Sequence, residues 1–279
     1  MFSAIASRRE VFRSLHRDGC FVIPNPWDIG AARYLEHLGF PALATTSAGY
    51  AFSRGLPDTA GAVTRDEMLR HISELVGATD LPVNADFGLG FADDPAGVAK
   101  NVVLCIETGV AGLSIEDATG READPLFEVS LAAERIRAAS EAIDQSKSGV
   151  LLTARAECFL TGHPQPFREA LRRLKAYSEA GADVLYAPGV SKPDEIRAIV
   201  ESVSPKPVNI LMSSNIGLLV PDLANLGVRR ISVGSSLARA AWNGFIRAAK
   251  KIADEGSFAG FEGLVSFSDL NDFFAAGSK

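Results

Sequence analysis

The stretch "LPVNADFGLGFADDPAGVAKNVVLCIETGVAGLSIED", residues 81–117, contains the pattern that decides the fold. Two short apolar runs, at 81–87 and 112–117, flank a longer segment whose apolar residues have helical spacing. Near-continuous apolar runs are typical of parallel strands that are buried on both faces. The stretch therefore predicts a strand, a crossover helix and a second parallel strand.

The same alternation recurs along the whole chain. Strand-like runs, each followed by a helical pattern, lie at 20–25, 42–47, 81–87, 112–117, 149–157, 183–189, 206–212 and 229–234. Eight such units in 279 residues predict an α/β fold of the (β/α)8, or TIM-barrel, type. A doubly wound open sheet is the alternative, but it more often has a G-x-G-x-x-G turn after its first strand, and "PNPWDIGAA" (24–32) is not that turn.

The two ends of the chain add helices to this pattern. Residues 1–19 predict an extra amphipathic N-terminal helix, and residues 261–279 predict a short C-terminal helix after a loop. No linker or composition shift divides the chain, so we expect one domain over residues 1–279. The tail from residue 258 onward carries five phenylalanines, more apolar surface than a solvated tail needs. We expect it to pack on a neighbouring subunit of a homo-oligomer, a dimer or a tetramer; packing on its own barrel is the alternative.

Composition limits the partners. A net charge of −6 without a long basic run argues against nucleic acid or an anionic membrane surface. No apolar run reaches the roughly 18–20 residues of a membrane helix, and the first residues lack the apolar region of a signal peptide. Three cysteines without a C-x-x-C pair predict reduced thiols. We expect a cytoplasmic protein with a small-molecule partner.

Polar residues gather at the predicted C-terminal strand ends, where barrels place their active sites. They are Thr46, Ser47, Asn84, Asp86, Glu116, Asp117, Arg155, Glu157, Tyr186, Asn209, Ser235 and Ser236. A single polar residue there often only caps a turn, and Arg155 could pair with Glu157 or Glu116. A purely structural role does not explain the whole set, because burying a carboxylate without a partner costs free energy.

Asp86 and Glu116 fall on neighbouring predicted strands with no Lys or His at the same level, so their charges would repel. We expect a hard divalent cation between them, Mg²⁺ or alternatively Mn²⁺, with Asn84 facing the metal and its waters. Arg155 would then offer a bidentate site to a substrate carboxylate. A G-x-S-x-G elbow and a P-loop are absent from the sequence, and its four histidines lie mostly on helical segments.

Four segments together resemble the isocitrate lyase/phosphoenolpyruvate mutase superfamily. They are "PNPWDIGAARYLEHLGFPALATTSAGYAFSRGLPD" (24–58), "VNADFGLGF" (83–91), "GLSIEDATG" (112–120) and "TARAECFL" (153–160). The resemblance implies a (β/α)8 barrel whose last helix is often exchanged between subunits. It also implies a Mg²⁺ that holds an α-oxo acid or enolate, and bond formation or cleavage next to an enolpyruvate unit.

The resemblance also implies roles for individual residues. Ser47, with the backbone of Ala48 and Gly49, matches the site for the substrate carbonyl and carboxylate. Asp58 matches an acid that reaches the water shell of the metal, and Arg155 matches the arginine that clamps the substrate. Asp86 matches the second acid of a D-x-D pair, and Glu116 matches the acid in "IED". Asn209, on the seventh predicted strand, is a further substrate-binding candidate.

Two departures from the family pattern bear on the reaction. Asn84 replaces the first acid of the D-x-D pair. The lyases carry a K-[KR]-C-G-H stretch on the loop after the fourth strand and the mutases an asparagine, whereas residues 118–129 contain no Cys, Lys, His or Asn. Thr119 and Arg121 on this loop, with Asp58 and Arg155, are therefore the catalytic candidates.

These residues predict a Mg²⁺-dependent lyase that acts on a small 2-oxo or 2-hydroxy dicarboxylic acid. An enolpyruvate-like intermediate would form by C–C cleavage or by decarboxylation. The alternative within the same family is P–C bond chemistry on a phosphonate, as a mutase or a hydrolase. An alternative of another class is a barrel that binds a metabolite without catalysis.

Overall fold

The computed structural model describes residues 2–276 and contains one eight-stranded parallel sheet. The strands are β1 (Phe21–Ile23), β2 (Leu43–Ala44), β3 (Val83–Asp86), β4 (Gly112–Glu116), β5 (Leu151–Arg155), β6 (Val184–Tyr186), β7 (Val208–Leu211) and β8 (Arg230–Ser232). Their order is β1-β8-β7-β6-β5-β4-β3-β2, with every pair parallel. The Ala44 N–H donates to the Pro24 carbonyl at 3.0 Å and links the two edges. This nearly closed barrel confirms the predicted (β/α)8 fold.

Helices separate the strands. They are α1 (Phe2–Leu15), α2 (Ile29–His37), α3 (Ser47–Ser53), α4 (Arg65–Ala78), α5 (Pro95–Glu107), α6 (Val129–Ser146), α7 (Pro166–Glu179), α8 (Pro193–Val203), α9 (Val220–Asn225), α10 (Ser236–Glu255) and α11 (Phe267–Ala276). A capping box opens α4, where the side chains of Thr64 and Glu67 each accept from the backbone N–H of the other residue. None of these described helices is long and apolar enough to cross a membrane.

The predicted N-terminal helix, α1, packs against one end of the barrel. Phe12 is fully buried in a cluster with Phe21, Ile23 and Leu151. Arg9 donates to the Val110 carbonyl at 2.9 Å, just before β4. The helix is therefore fixed at the N-terminal end of the strands, which leaves the opposite end for a site.

Contacts along the chain divide it into two compact units, residues 1–235 and 236–279. The first contains all eight strands and the helices α1 to α9. The second contains α10, a short 3-10 turn (Ala259–Phe261) and α11. The C-terminal helix therefore forms inside the predicted range, while its packing on another subunit and the single-domain organisation stay predictions.

Alternate residues along a strand share one face, and register places the polar ones side by side in the barrel. Asp86 pairs with Ser114, and Glu116 pairs with Arg155, which pairs with Tyr186. One step deeper lies a second polar set, Asn84, Ser114, Thr153, Asn209 and Arg230, all of them buried. Barrel interiors are dominated by branched apolar side chains, so two polar layers mark this interior as specialised.

Candidate active site

Arg155, the last residue of β5, lies at the centre of the polar cluster. Its Nη1 is 2.7 Å from Asp86 Oδ1, its Nη2 is 3.1 Å from Glu116 Oε2, and its Nε is 2.8 Å from Glu157 Oε1. The Arg155 side chain is only 15% exposed, so water screens these pairs weakly. The three neighbouring strand ends of β3, β4 and β5 therefore converge on one guanidinium.

This arrangement differs from the sequence expectation in one respect. The sequence predicts a divalent cation between Asp86 and Glu116, whereas in the structure Arg155 contacts both carboxylates. The pairing of Arg155 with Glu116 and Glu157, considered above as a structural role, is present. Because a guanidinium has five N–H groups and three are engaged here, two remain for a substrate carboxylate. The substrate-clamping role of Arg155 stays a prediction.

Ser47 and Asp86 join the start of α3 to the end of β3. The Ser47 backbone N–H and hydroxyl both donate to Asp86 Oδ2 at 2.9 Å. The Asp86 backbone N–H donates to the Thr45 hydroxyl at 2.8 Å. Ala48 lines a small cavity that Ser47 and Asp86 also line. The Gly49 N–H instead donates to the Thr46 hydroxyl at 3.2 Å as part of the cap of α3. Ser47 is thus held beside the carboxylate cluster.

Negative charge is in excess around Arg155, since Asp86, Glu116 and Glu157 contact one guanidinium and Asp58 lines the same cavity. Burial raises the pKa of Glu116 to about 8, although the Arg155 charge opposes the shift. Burial also raises the pKa of Glu157. Partial desolvation, and then the Asp86 charge, raises the pKa of Asp58 at the rim of the site. A further cation would relieve this excess.

The residues fit a hard divalent cation held mainly through water. Their donors are carboxylate and amide oxygens, which Mg²⁺ prefers. Within residues 2–276, no group of three or more His, Cys, Asp or Glu side chains is arranged to hold a metal ion. Mg²⁺ commonly keeps several waters and binds through one or two carboxylates, so Asp86 and Glu116, with Asp58 nearby, suffice for that mode.

Asn84 lies one layer deeper than Asp86. Its Nδ2 donates to the Ala85 carbonyl at 3.2 Å, and its buried Oδ1 has no partner in the described structure. A Cβ atom at Gly112 would lie 2.6 Å from this oxygen, so glycine there makes room for it. Asn84 lines the cavity below the carboxylates, but its Oδ1 is buried against Gly112 and is not exposed to the cavity.

The site has an inner and an outer cavity. The inner one has a volume of about 180 Å³ and is lined by Ser47, Asp58, Asn84, Asp86, Arg155 and Asn209, among others. The outer one, about 640 Å³, is lined by residues 57–61, by Gly88 and by Glu116. Gly88 and Gly90 have φ of +53° and +81°, and the Gly88 carbonyl accepts from the Glu116 N–H at 2.9 Å. These glycines bring the loop after β3 against the end of β4.

The loop after β4 uses its polar residues to hold itself. The Thr119 hydroxyl donates to the Asp124 carbonyl and accepts from the Arg121 N–H. Arg121 Nη1 pairs with Asp93 Oδ2 at 2.9 Å and is half exposed. Among the described residues that line the outer cavity, this loop contributes Ala118 and Gly120. The structure does not bring Thr119 and Arg121 to the carboxylate cluster, and their catalytic roles stay predictions.

A buried hydrogen-bond chain continues below the site. Asn209 accepts from Arg230 Nε at 2.8 Å and donates to the Ser232 hydroxyl at 2.9 Å. Ser232 in turn hydrogen-bonds Tyr186, whose pKa burial raises to about 12. Asn209 is a candidate from the sequence, whereas Arg230 is found only in the structure. The available signal was a charged residue inside the strand-like run "RRISVG", residues 229–234.

Asp117 supports the cluster from behind. Its Oδ1 accepts from the Glu157 backbone N–H at 2.8 Å, and its Oδ2 accepts from Arg173 Nη1 at 2.9 Å and from the Tyr177 hydroxyl at 2.5 Å. Asp117 is 2% exposed, so its charge depends on these donors. The network fixes Glu157 and thereby Arg155. Fold and site together define a (β/α)8-barrel protein with an acid-rich pocket for a small ligand.

Comparison with known proteins identifies the family. The chain matches the family model of phosphoenolpyruvate phosphomutase over residues 12–253. It is 32% identical to an uncharacterized protein of Mycobacterium tuberculosis, over 87% of this chain and 89% of that protein. It is 29% identical to 2-methylisocitrate lyase of Halalkalibacterium halodurans (93% and 87% covered). It is 30% identical to oxaloacetate decarboxylase of Pseudomonas entomophila (81% and 78% covered).

A solved structure is similar over nearly the whole chain. A Burkholderia cenocepacia J2315 protein, provisionally described as a lyase/mutase, superposes with a TM-score of 0.93 at 48% identity, covering 98% of this chain and 97% of that one. The chain therefore belongs to the phosphoenolpyruvate phosphomutase family, within the isocitrate lyase/PEP mutase superfamily. The resemblance drawn from the four sequence segments is confirmed, and the enzymes of this family support catalytic activity here.

Proposed function

We propose that the protein is a Mg²⁺-dependent carbon–carbon lyase acting on a small 2-oxo or 2-hydroxy dicarboxylic acid. The observation that carries the proposal is the convergence of Asp86, Glu116 and Glu157 on Arg155 beside Ser47. The inner cavity of about 180 Å³ suits a short acid rather than a large cofactor. One relative is named oxaloacetate decarboxylase, after a 2-oxo dicarboxylic acid, and another 2-methylisocitrate lyase, after a hydroxy tricarboxylic acid.

Asp86 and Glu116, with Asp58 at the rim and Asn84 below, would hold the metal and its waters. Mg²⁺ in this position supplies a Lewis acid that stabilises negative charge developing on a carbonyl or enolate oxygen. The remaining two N–H groups of Arg155 would orient a substrate carboxylate, since a planar guanidinium suits a planar acid. Ser47 lies close enough to Asp86 to limit how the ligand enters the cluster.

In the proposed reaction a 2-hydroxy diacid loses its hydroxyl proton and its Cα–Cβ bond breaks, so that the α carbon becomes the carbonyl of a 2-oxo acid and the electron pair passes to the β carbon as the enolate of the departing acid. A 2-oxo diacid would instead lose its β-carboxylate as CO₂, and the electron pair would pass into the enolate of the 2-oxo acid. In either case the enolate carbon then takes up one proton from solvent. Fixing the acid in a narrow cavity removes much of the orientational entropy of this step. Neither bond cleavage requires a thiol, which agrees with a 118–129 loop that has no cysteine.

A substrate screen tests the proposal. Wild-type protein is incubated with 2-oxo acids, 2-hydroxy di- and tri-acids and phosphonates in Mg²⁺, and pyruvate, glyoxylate, CO₂ and phosphate are measured. Asp86→Ala should abolish turnover, whereas Asp18→Ala, an exposed acid after α1, should not. Turnover that persists in EDTA, or in Asp86→Ala, would contradict the proposed metal-dependent mechanism.

The family model itself is the reason to retain P–C bond chemistry as the second candidate. The ³¹P NMR spectrum of the phosphonate reactions separates it from C–C cleavage, because only P–C chemistry changes the phosphorus environment. A barrel that binds without catalysis would instead bind oxalate with Mg²⁺ in calorimetry and turn over nothing in the panel.

We also propose a homo-oligomer, a dimer or a tetramer. In the second unit, Phe245, Phe258 and Phe267 are 62%, 67% and 84% exposed. Covering such side chains contributes roughly 25 cal/mol per Å² of apolar surface. Light scattering of the full chain should give the mass of a dimer or larger; the mass of a monomer at micromolar concentration would rule this assembly out.

A further inference from the structure

Arg230, the first residue of β8, is a charged side chain inside the barrel. It is 3% exposed and lines the inner cavity below the carboxylate cluster. Its Nε donates to Asn209 Oδ1 at 2.8 Å and its Nη2 to Thr153 Oγ1 at 2.9 Å. Its Nη1 lies 3.4 Å from His16 Nε2. The guanidinium is therefore held in a fixed orientation by two barrel residues and by His16, which follows α1.

None of these three partners carries a negative charge. His16 is neutral, since burial and the nearby Arg230 charge lower its pKa to about 3, and its Nδ1 lies 2.7 Å from the Phe12 carbonyl. In the part of the chain that the structure describes, no carboxylate lies within ion-pair distance of Arg230. Burying a charge without a counter-charge costs free energy. The neutral partners of Arg230 do not offset this cost with an ion pair.

Arg230 still has donors to offer. Of its five N–H groups, one on each nitrogen is engaged with Asn209, Thr153 or His16, which leaves one on Nη1 and one on Nη2. Two adjacent N–H groups of a guanidinium match the two oxygens of a carboxylate. The mouth of the cavity, in contrast, carries Asp58, Asp86 and Glu116. The cavity is therefore acidic at its mouth and cationic at its floor.

We propose that Arg230 forms an anion subsite at the floor of the inner cavity, which receives one carboxylate of a short dicarboxylic acid. The subsite deepens the proposed function and rests on it for the identity of the ligand. A carboxylate paired with a buried guanidinium is stabilised as the anion, so this acid group is the one retained. Bond cleavage then takes place at the other end of the substrate, beside Arg155 and the metal-binding carboxylates.

The subsite is tested by anion binding without metal and without turnover. Malonate, a three-carbon dicarboxylate, and acetate are titrated into wild-type protein in EDTA at constant ionic strength, with calorimetry and thermal unfolding as readouts. Malonate should bind and raise the Tm. Arg230→Met should weaken malonate binding roughly tenfold to a hundredfold, as expected for hydrogen bonds to a charged group. Arg229→Gln, which changes the neighbouring arginine, is the matched control and should bind like the wild type.

Three results would overturn the subsite: no malonate response in the wild type, equal affinity in Arg230→Met, or an equal loss in Arg229→Gln. If Arg230→Met does not fold, Arg230→Lys keeps the charge without the planar fork and should bind malonate with intermediate affinity. Bromide soaked into wild-type crystals gives a second measurement, and its anomalous peak should lie beside Arg230. Because EDTA is present throughout, loss of this subsite is distinguishable from failure of the proposed lyase activity.

Discussion

The charge on Glu116 should limit the stability of the metal-free protein. Burial raises the pKa of Glu116 from 4.5 to about 8. The folded protein thus binds this proton more tightly than the unfolded chain. The stability that it contributes is fully present below pH 4.5 and is lost as the pH rises through about 8. Glu116→Gln removes the charge and keeps the shape, so its advantage over the wild type should grow with pH.

The size of the stability difference follows from the pKa shift of Glu116. A change of 3.5 pKa units at 1.36 kcal/mol each gives an upper bound of about 5 kcal/mol. Glu116 is 22% exposed and shares Arg155 with Asp86 and Glu157, so solvent and coupling reduce this value. We expect the variant to match the wild type at pH 5 and to exceed it by about 1–2 kcal/mol at pH 9.

Urea unfolding followed by circular dichroism at pH 5, 7 and 9 in EDTA measures the difference. Glu122→Gln, an exposed acid on the loop after β4, is the control and should follow the wild type at every pH. Mg²⁺ should stabilise the wild type at pH 9 and narrow the gap, because a ligand that binds only the folded state stabilises it. A gap that is the same at pH 5 and pH 9 would refute the assignment of excess negative charge to Glu116.

Three further changes test the site and its support. Arg155→Lys should lower kcat/KM by roughly a hundredfold in steady-state kinetics, since an ammonium group cannot contact three carboxylates as the planar guanidinium does; near-native kinetics would remove Arg155 from the site. Asn84→Asp should tighten Mg²⁺ binding several-fold in calorimetry, because it adds a carboxylate below Asp86; unchanged affinity would mean that position 84 does not face the metal. The pKa of buried His16, lowered to about 3, implies that the wild type loses stability as the pH falls below 6.5, by about 2 kcal/mol at pH 5. His16→Gln should flatten this pH dependence in urea titrations, and an unchanged slope would show that His16 does not cause it.

The fold was predictable because it depends on local patterns that repeat. Apolar runs of strand length alternating with helical spacing occur eight times, and only a few architectures bury such strands on both faces. The strand ends in the structure fall before the predicted ends, since Thr46 and Ser47 already belong to the start of α3. The residue at which a strand ends and the next helix begins depends on tertiary contacts as well as on the local sequence.

The contacts within the site were less predictable, because they depend on stagger between strands. Sequence order places β3, β4 and β5 side by side, but only the register brings Arg155 opposite Glu116 and within reach of Asp86. The expectation of a divalent cation between Asp86 and Glu116 was therefore incomplete, because it did not include the contact of Arg155 with both. Arg230 was missed for a related reason, since an arginine at the first position of a strand more often faces solvent, and barrel closure turns this one inward.

The two polar layers in the barrel interior differ in whether their buried charges are paired. The upper layer pairs its charges, so Arg155 offsets much of the cost of burying Asp86, Glu116 and Glu157. The lower layer contains Arg230 with neutral partners only, where branched apolar side chains would stabilise the barrel more. A residue that lowers stability in the free protein is best explained by a ligand that compensates it. A short diacid could satisfy both layers at once, with one end at the metal-binding carboxylates and the other at Arg230.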